Sequence, residues 1–278
     1  MQFAKYHGLG NDFIVVDIDK LPAEFSGQKA RRLCDRHFGI GADGVLVVGN
    51  APREGLDGEM TIYNADGSMA EMCGNGIRCV AFHLLRNGIK KKEMAILTQA
   101  GIKTCTVVGR QDEDPLIQVA MGQIVFQGPD LPACDEGQVH TTLELSNGES
   151  IQCIPASAGN PHAVIRLSDN TNTMDEARRL GPLVESHAAF PNRTNAEFIS
   201  QTGPDTFEVT VYERGVGITL ACGTGATAAA CVAMTHWDAP EQLELTLPGG
   251  VLKFAKAEDG QILMTGPATY VYTGQWQW

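Results

Sequence analysis

The chain has little positive charge, few aromatic rings and no long apolar run, and each shortage removes a class of protein. Its formal net charge is −12; a nucleic-acid or anionic-membrane partner needs a basic field that releases counterions, so neither partner is expected. The longest stretch without a strongly polar residue, Ala226 to Met234, falls far short of the roughly 18 residues that span a bilayer. Aromatic residues make up 6% of the chain against 31 glycines and 13 prolines, a balance that favours many turns and short strands over a helical bundle. No Cys-x-x-Cys occurs. Only Cys34-x-x-His37 and Cys79-x3-His83 approach ligand spacing, and both lie in helix-like segments, so no metal centre is expected. The start, Met1 to His7, has neither the basic segment nor the apolar stretch of a secretory signal. That points to a cytoplasmic protein whose eight cysteines stay reduced.

What is present is a chain of 278 residues, 43% hydrophobic and 19% charged, enough for about two domains at roughly 150 residues each. Alternating apolar positions bounded by turn formers predict strands near 2–6, 12–18, 44–49, 58–64, 94–98, 101–109 and 116–120. Further strands are expected near 151–156, 162–166, 194–200, 206–213, 242–247, 251–256, 261–265 and 269–273. Helices are expected near 28–37, 76–87, 175–181 and 224–236. The pattern is α+β, and the charged segment Gly109 to Pro115 is the natural place to divide it. Gly39-Ile-Gly41-Ala-Asp-Gly44 spells the dinucleotide fingerprint, but it follows a helix and leads into a strand, the reverse of a phosphate-binding loop, so it reads as a turn.

The most informative feature is a pair of segments, Met72-Cys73-Gly74-Asn75-Gly76 and Ala221-Cys222-Gly223-Thr224-Gly225, each running into a helix-forming stretch. Their separation is 222 minus 73, or 149, and the same offset connects Asn11 with Asn160 and Asn64 with Glu213. One ungapped register over such distant sites implies duplicated halves, and a duplicated fold would set the two segments across a pseudo-twofold axis.

Cys-Gly-x-Gly before a helix lets backbone approach a ligand and offers amide N–H groups at the helix N-terminus, which suits a carboxylate. The same field lowers a thiol's pKa. Two such thiols, one ionised and one protonated, supply a base and an acid for inverting a stereocentre. Oriented N–H donors would stabilise the carbanion, and this account needs no cofactor. Cys34, Cys79, Cys105, Cys134, Cys153 and Cys231 have no glycine frame or register partner and read as packing residues.

These segments, with His7-Gly-Leu-Gly-Asn-Asp-Phe13, Asn64-Ala-Asp-Gly-Ser68, Gly159-Asn-Pro-His162, Tyr212-Glu-Arg-Gly215 and Gly266-Pro-Ala268, closely resemble the diaminopimelate epimerase family along essentially the whole chain. The resemblance implies cofactor-independent interconversion of LL- and meso-diaminopimelate in lysine and peptidoglycan-precursor biosynthesis, with Cys73 and Cys222 as the acid/base thiols. It implies that Gly74, Asn75, Gly223 and Thr224 hold the reacting carboxylate, and that Asn11, Asn64, Asn160, Asn195, Glu213 and Arg214 grip the rest of the substrate. Arg214 suits a bidentate hold on the distal carboxylate, and His162 and Glu213 would help set thiol protonation. The implied fold is two pseudosymmetric α+β domains, each a curved, mainly antiparallel, barrel-like sheet around a central helix. The first would be 1–115 with the final strand 267–278, the second 116–266; a homodimer is implied too.

Two departures bear on the substrate. Ile218 stands where many members carry a glutamate, so local polarity should change near the second thiol, and Gly44 stands where some carry glutamine. A racemase of another amino acid on the same scaffold, and a non-catalytic ligand-binding or thiol-redox protein, remain the alternatives.

Overall fold

In the computed structural model, which describes residues 1–21, 24–134 and 137–278, the chain forms two compact units. One comprises Met1–Ala120 with Thr265–Trp278, the other Met121–Met264. The first contains β1 (Gln2–Gly8), β2 (Asn11–Asp17), α1 (Gly27–Cys34), β3 (Gly44–Gly49), β4 (Gly58–Asn64), β5 (Met69–Ala70), α2 (Gly74–Arg86), β6 (Glu93–Thr98) and β7 (Gly101–Gln111). β8 (Asp114–Gly122) follows. Gly109 to Pro115 is the turn region of the antiparallel β7–β8 hairpin, and the units divide at Ala120 and Met121.

The second unit holds β9 (Thr141–Glu144), β10 (Ser150–Ser157), β11 (Pro161–Arg166), α3 (Thr173–Glu185), β12 (Asn195–Gln201), β13 (Thr206–Glu213), β14 (Gly217–Ile218), α4 (Gly223–His236), β15 (Gln242–Leu247) and β16 (Gly250–Lys256). β17 (Ile262–Pro267) leads out of it, and β18 (Thr269–Gln275) pairs antiparallel with β1 in the first unit.

The two units repeat one pairing scheme. β1 pairs antiparallel with β2, β2 parallel with β3, β3 antiparallel with β4, and β4 parallel with β6. β10, β11, β12, β13 and β15 repeat those relations in that order. The outer neighbour differs in origin, since β1 takes β18 and β10 takes β9.

In each unit the strands pack on one central helix. α2 lies against β1, β2, β3, β4, β7 and β18, and α4 against β10, β11, β12, β13, β15 and β16. A helix enclosed by strands must be apolar or small nearly all round. Alanines 226, 228, 229, 230 and 233 of α4 are therefore all buried. α1 and α3 cover the other side, α1 on β3 and β4, α3 on β12 and β13. α3 continues to Glu185 instead of ending near 181, with Pro182 inside it. Its anchor is packing: Ala177, Leu180 and Val184 are buried in a cluster with Phe190 and Phe198, which outweighs the one backbone bond a proline forfeits.

Candidate active site: two cysteine-capped helix starts

Both Cys-Gly-x-Gly segments begin a central helix, with the cysteine as N-cap in extended backbone. The second glycine of each is dictated by how closely the helix approaches a strand. A Cβ at Gly76 would lie 3.0 Å from Leu46 Cδ2, and one at Gly225 would lie 2.7 Å from Glu197 Oε1.

In the first unit, Cys73 Sγ accepts the Gly76 N–H at 3.3 Å. Asn11 Oδ1 lies 4.0 Å from that sulfur and accepts from Asn75 Nδ2 at 3.2 Å. Asn11 is held from behind, because its Nδ2 donates to Asp43 Oδ2 at 2.9 Å and Asp43 is paired with Arg36 at 2.7 Å. Gly74 and Asn75 are buried within the first turn of α2. Asn64, exposed at the end of β4, donates its Nδ2 to Ser68 Oγ at 3.0 Å. The first unit thus brings Asn11, Gly74 and Asn75 together at Cys73.

In the second unit, Cys222 is buried, with its sulfur 3.6 Å from Thr224 Oγ1. Burial pushes its thiol well above the ordinary range, and the Glu213 carboxylate pushes it further. Hydrogen bonds from the Gly225 backbone and Thr224 pull the other way, but desolvation and the like charge exceed them, so the net direction is up and favours the thiol form. Glu213 accepts from Thr219 Oγ1 at 2.5 Å. Asn195 Oδ1 accepts the Arg214 backbone N–H at 2.8 Å, and Arg214 Nη1 donates to the Asn192 carbonyl at 3.0 Å. His162 is fully buried, with Nδ1 at 2.7 Å from Glu197 Oε1 and Nε2 at 3.0 Å from Asn160 Oδ1. Asn160, His162, Asn195 and Arg214 are therefore one bonded group.

Both helix starts can accept a carboxylate at their amides, and each sets a thiol beside that position. The sequence comparisons decide the family. The family model for diaminopimelate epimerase matches residues 3–127 and 155–271. The chain belongs to the diaminopimelate epimerase family. Among its relatives, the diaminopimelate epimerase of Desulfitobacterium hafniense is 39% identical over 99% of this chain and 97% of its own. That of Carboxydothermus hydrogenoformans is 41% identical over 99% of both chains. Similar solved structures include a Bacillus anthracis phenazine biosynthesis protein of the PhzF family, with a TM-score of 0.71 at 18% identity, covering 99% of this chain and 98% of that one. A probable proline racemase from Agrobacterium radiobacter has a TM-score of 0.72 at 14% identity, covering 99% of this chain and 92% of that one. These two show the fold alone.

The two departures from the family pattern have local explanations. Ile218 packs, with Tyr212, against the core cluster of Leu180 and Phe198. At Gly44 a Cβ would lie 2.8 Å from the Tyr63 carbonyl oxygen.

Three buried polar residues of this family member escape sequence reading. Arg78 is fully buried and donates to the Gly74 and Pro267 carbonyls at 3.1 Å and to Asn75 Oδ1 at 2.9 Å. Burial pushes its pKa down, while the neighbouring thiols push it up. Glu185 accepts the Gly215 N–H at 2.9 Å and pairs with Arg193, holding the turn after Arg214. Glu197 underlies His162. The available signal was a charged residue inside an apolar run: Arg78 between Ile77 and Cys79, Glu197 between Ala196 and Phe198.

Proposed function

We propose that this chain is an isomerase that converts LL-diaminopimelate to meso-diaminopimelate by two-base proton transfer at Cys73 and Cys222, as a step of lysine biosynthesis. The observation that carries the reading is membership of the diaminopimelate epimerase family over nearly the whole chain, together with a cysteine capping each central helix. One thiolate takes the Cα proton and becomes a thiol. The other thiol delivers its proton to the opposite face of Cα and becomes a thiolate. The charge left on the α-carboxylate as the C–H bond breaks is met by the amides of Gly74, Asn75, Gly223 and Thr224. Inversion exchanges the protonation states of the two sulfurs, and proton exchange with water resets them.

Burial of Cys222 beside Glu213 favours its thiol form, so in the direction that starts from this state Cys73 is the base and Cys222 the acid. Asn11, Asn64, Asn160, Asn195, Glu213 and Arg214 hold the amino groups and the distal carboxylate, with His162 supporting Asn160. The family resemblance favours a cytoplasmic homodimer, and the acidic balance of the chain argues against nucleic-acid and anionic-membrane partners.

Incubation of reduced protein with LL-diaminopimelate, followed by chiral separation, tests this. Meso product is expected, with no turnover of histidine, lysine or glutamate. Properly folded protein that leaves LL-diaminopimelate unchanged refutes it.

A further inference from the structure

The pairing registers align the units residue by residue. Phe13 sits opposite Gly44, and Val15 opposite Leu46, in the β2–β3 pair; His162 sits opposite Asn195, and Val164 opposite Glu197, in the β11–β12 pair. His162 is thus the counterpart of Phe13, and Glu197 of Leu46. The helix confirms the match, since the second glycine of each cysteine segment meets Leu46 in one unit and Glu197 in the other. Leu46 is fully buried and packs as an ordinary core residue. The fold at this position therefore works with an aliphatic side chain, and the carboxyl of Glu197 answers some other need.

The hydrogen bonds around it show which. A backbone N–H can only donate, so the Arg214 N–H at 2.8 Å fixes Asn195 with its Oδ1 toward Arg214. Asn195 Nδ2 is then turned to His162 Nδ1, at 3.4 Å. A donor facing Nδ1 requires a lone pair there, which leaves the ring proton on Nε2, pointing at Asn160 Oδ1. Glu197 Oε1, only 2.7 Å from the same Nδ1, then brings the proton of the short bond, and the single Nδ1 lone pair is shared unequally between this strong donor and the longer Asn195 contact. Its other oxygen, Oε2, is buried without a partner among the described residues, an arrangement tolerable for a carboxylic acid and costly for a carboxylate. Burial and the nearby Glu213 push the Glu197 carboxyl in the same direction, up from its ordinary value, against the pull of His162.

We propose that Glu197 is a positioning residue of the second unit, a buried donor to His162 Nδ1 that fixes Nε2–H on Asn160 Oδ1 and so presents the Asn160 amide NH2 to the substrate. Through Asn195 the same ring is tied to Arg214. One buried acid thereby orients the Asn160 amide, in a chain of contacts that continues through Asn195 to the Arg214 backbone N–H. This inference rests on the function proposed above, and its first readout does not depend on activity.

The test compares the wild type with Glu197→Gln and Glu197→Leu. Nitrogen-15 NMR of histidine-labelled, ligand-free protein should show His162 protonated at Nε2 and acceptor-type at Nδ1. Glu197→Gln can still donate an N–H to Nδ1, so its tautomer should match the wild type and its KM for LL-diaminopimelate should stay within about 3-fold. Glu197→Leu, the residue at the equivalent position of the first unit, should fold, lose the fixed tautomer and raise KM about 10-fold, with a smaller change in kcat. A doubly protonated His162 or an Nδ1-protonated ring in the wild type overturns the proposal. So does a Glu197→Leu protein with wild-type KM, or a Glu197→Gln protein as impaired as Glu197→Leu. If Glu197→Leu does not fold, the wild-type and Glu197→Gln spectra still decide. A wild type inactive on diaminopimelate refutes the proposed function and leaves the tautomer result standing.

Discussion

Arg78 and Thr227 occupy the same place in the two central helices. Each reaches back one turn, Arg78 Nη1 to the Gly74 carbonyl at 3.1 Å and Thr227 Oγ1 to the Gly223 carbonyl at 2.6 Å. One cysteine-capped helix start is therefore built on a buried guanidinium and the other on a buried hydroxyl. The duplicated fold has thus diverged at a position where charge bears on the thiols.

That difference predicts unequal costs of removal. Arg78→Met removes three hydrogen bonds of a fully buried guanidinium, to the Gly74 and Pro267 carbonyls and to Asn75 Oδ1, and should lower stability by about 3 kcal/mol. Thr227→Val removes one side-chain hydrogen bond to a carbonyl that keeps its helical partner and should cost about 1 kcal/mol or less. Urea unfolding at neutral pH measures both, and equal losses would contradict the assignment of Arg78 as the anchor of the first helix start.

Cys73→Ala and Cys222→Ala should each lower kcat by about 10² to 10⁴ or abolish turnover, the range of a general acid or base, while far-UV circular dichroism stays unchanged. Initial rates of meso formation check this. Substantial activity in either variant would mean that its thiol is not an acid/base group.

In a Cys73→Ala background, alkylation of Cys222 by iodoacetamide should be slow at neutral pH and rise only above the ordinary thiol range, since burial and Glu213 hold that sulfur protonated. Glu213→Gln removes a negative charge, lowers the thiol's pKa and should speed alkylation at a fixed pH. A slower rate in Glu213→Gln would reverse the sign of the interaction.

Acid stability should depend on Asp17. Its carboxyl is held down at about 2 by its hydrogen bond with His83 and by Lys20, against burial. A carboxyl depressed in the folded state contributes stability above its unfolded value, near 3.9, and loses it as pH falls toward 2. Asp17→Asn should therefore be about 2 kcal/mol less stable at pH 7 and show a shallower loss between pH 4 and 2. Urea midpoints across that range test it.

Much of this was legible in the sequence because it depends on local pattern. Cys73-Gly-Asn-Gly and Cys222-Gly-Thr-Gly each start a helix, and the 149-residue offset aligns β6, Glu93–Thr98, with β15, Gln242–Leu247. β5 and β14 have only two residues each, too few to show any period. The proline at 182 signals a helix end, and only tertiary packing carries α3 past it. The buried polar residues were hidden for a related reason: Glu197 answers His162 and Arg78 answers Pro267, partners set by sheet register and chain return. The same distance effect hides why Cys222 is held as a thiol, since the helix start is visible in sequence while its burial beside Glu213 is not.

The most direct test of the two-thiol account is the fate of solvent deuterium at low conversion. In heavy water, with LL-diaminopimelate as substrate, the account predicts one deuterium at the inverted Cα of the first meso product and none in the recovered LL substrate. Deuterium entering recovered substrate as fast as product, or product formed without deuterium, would contradict it.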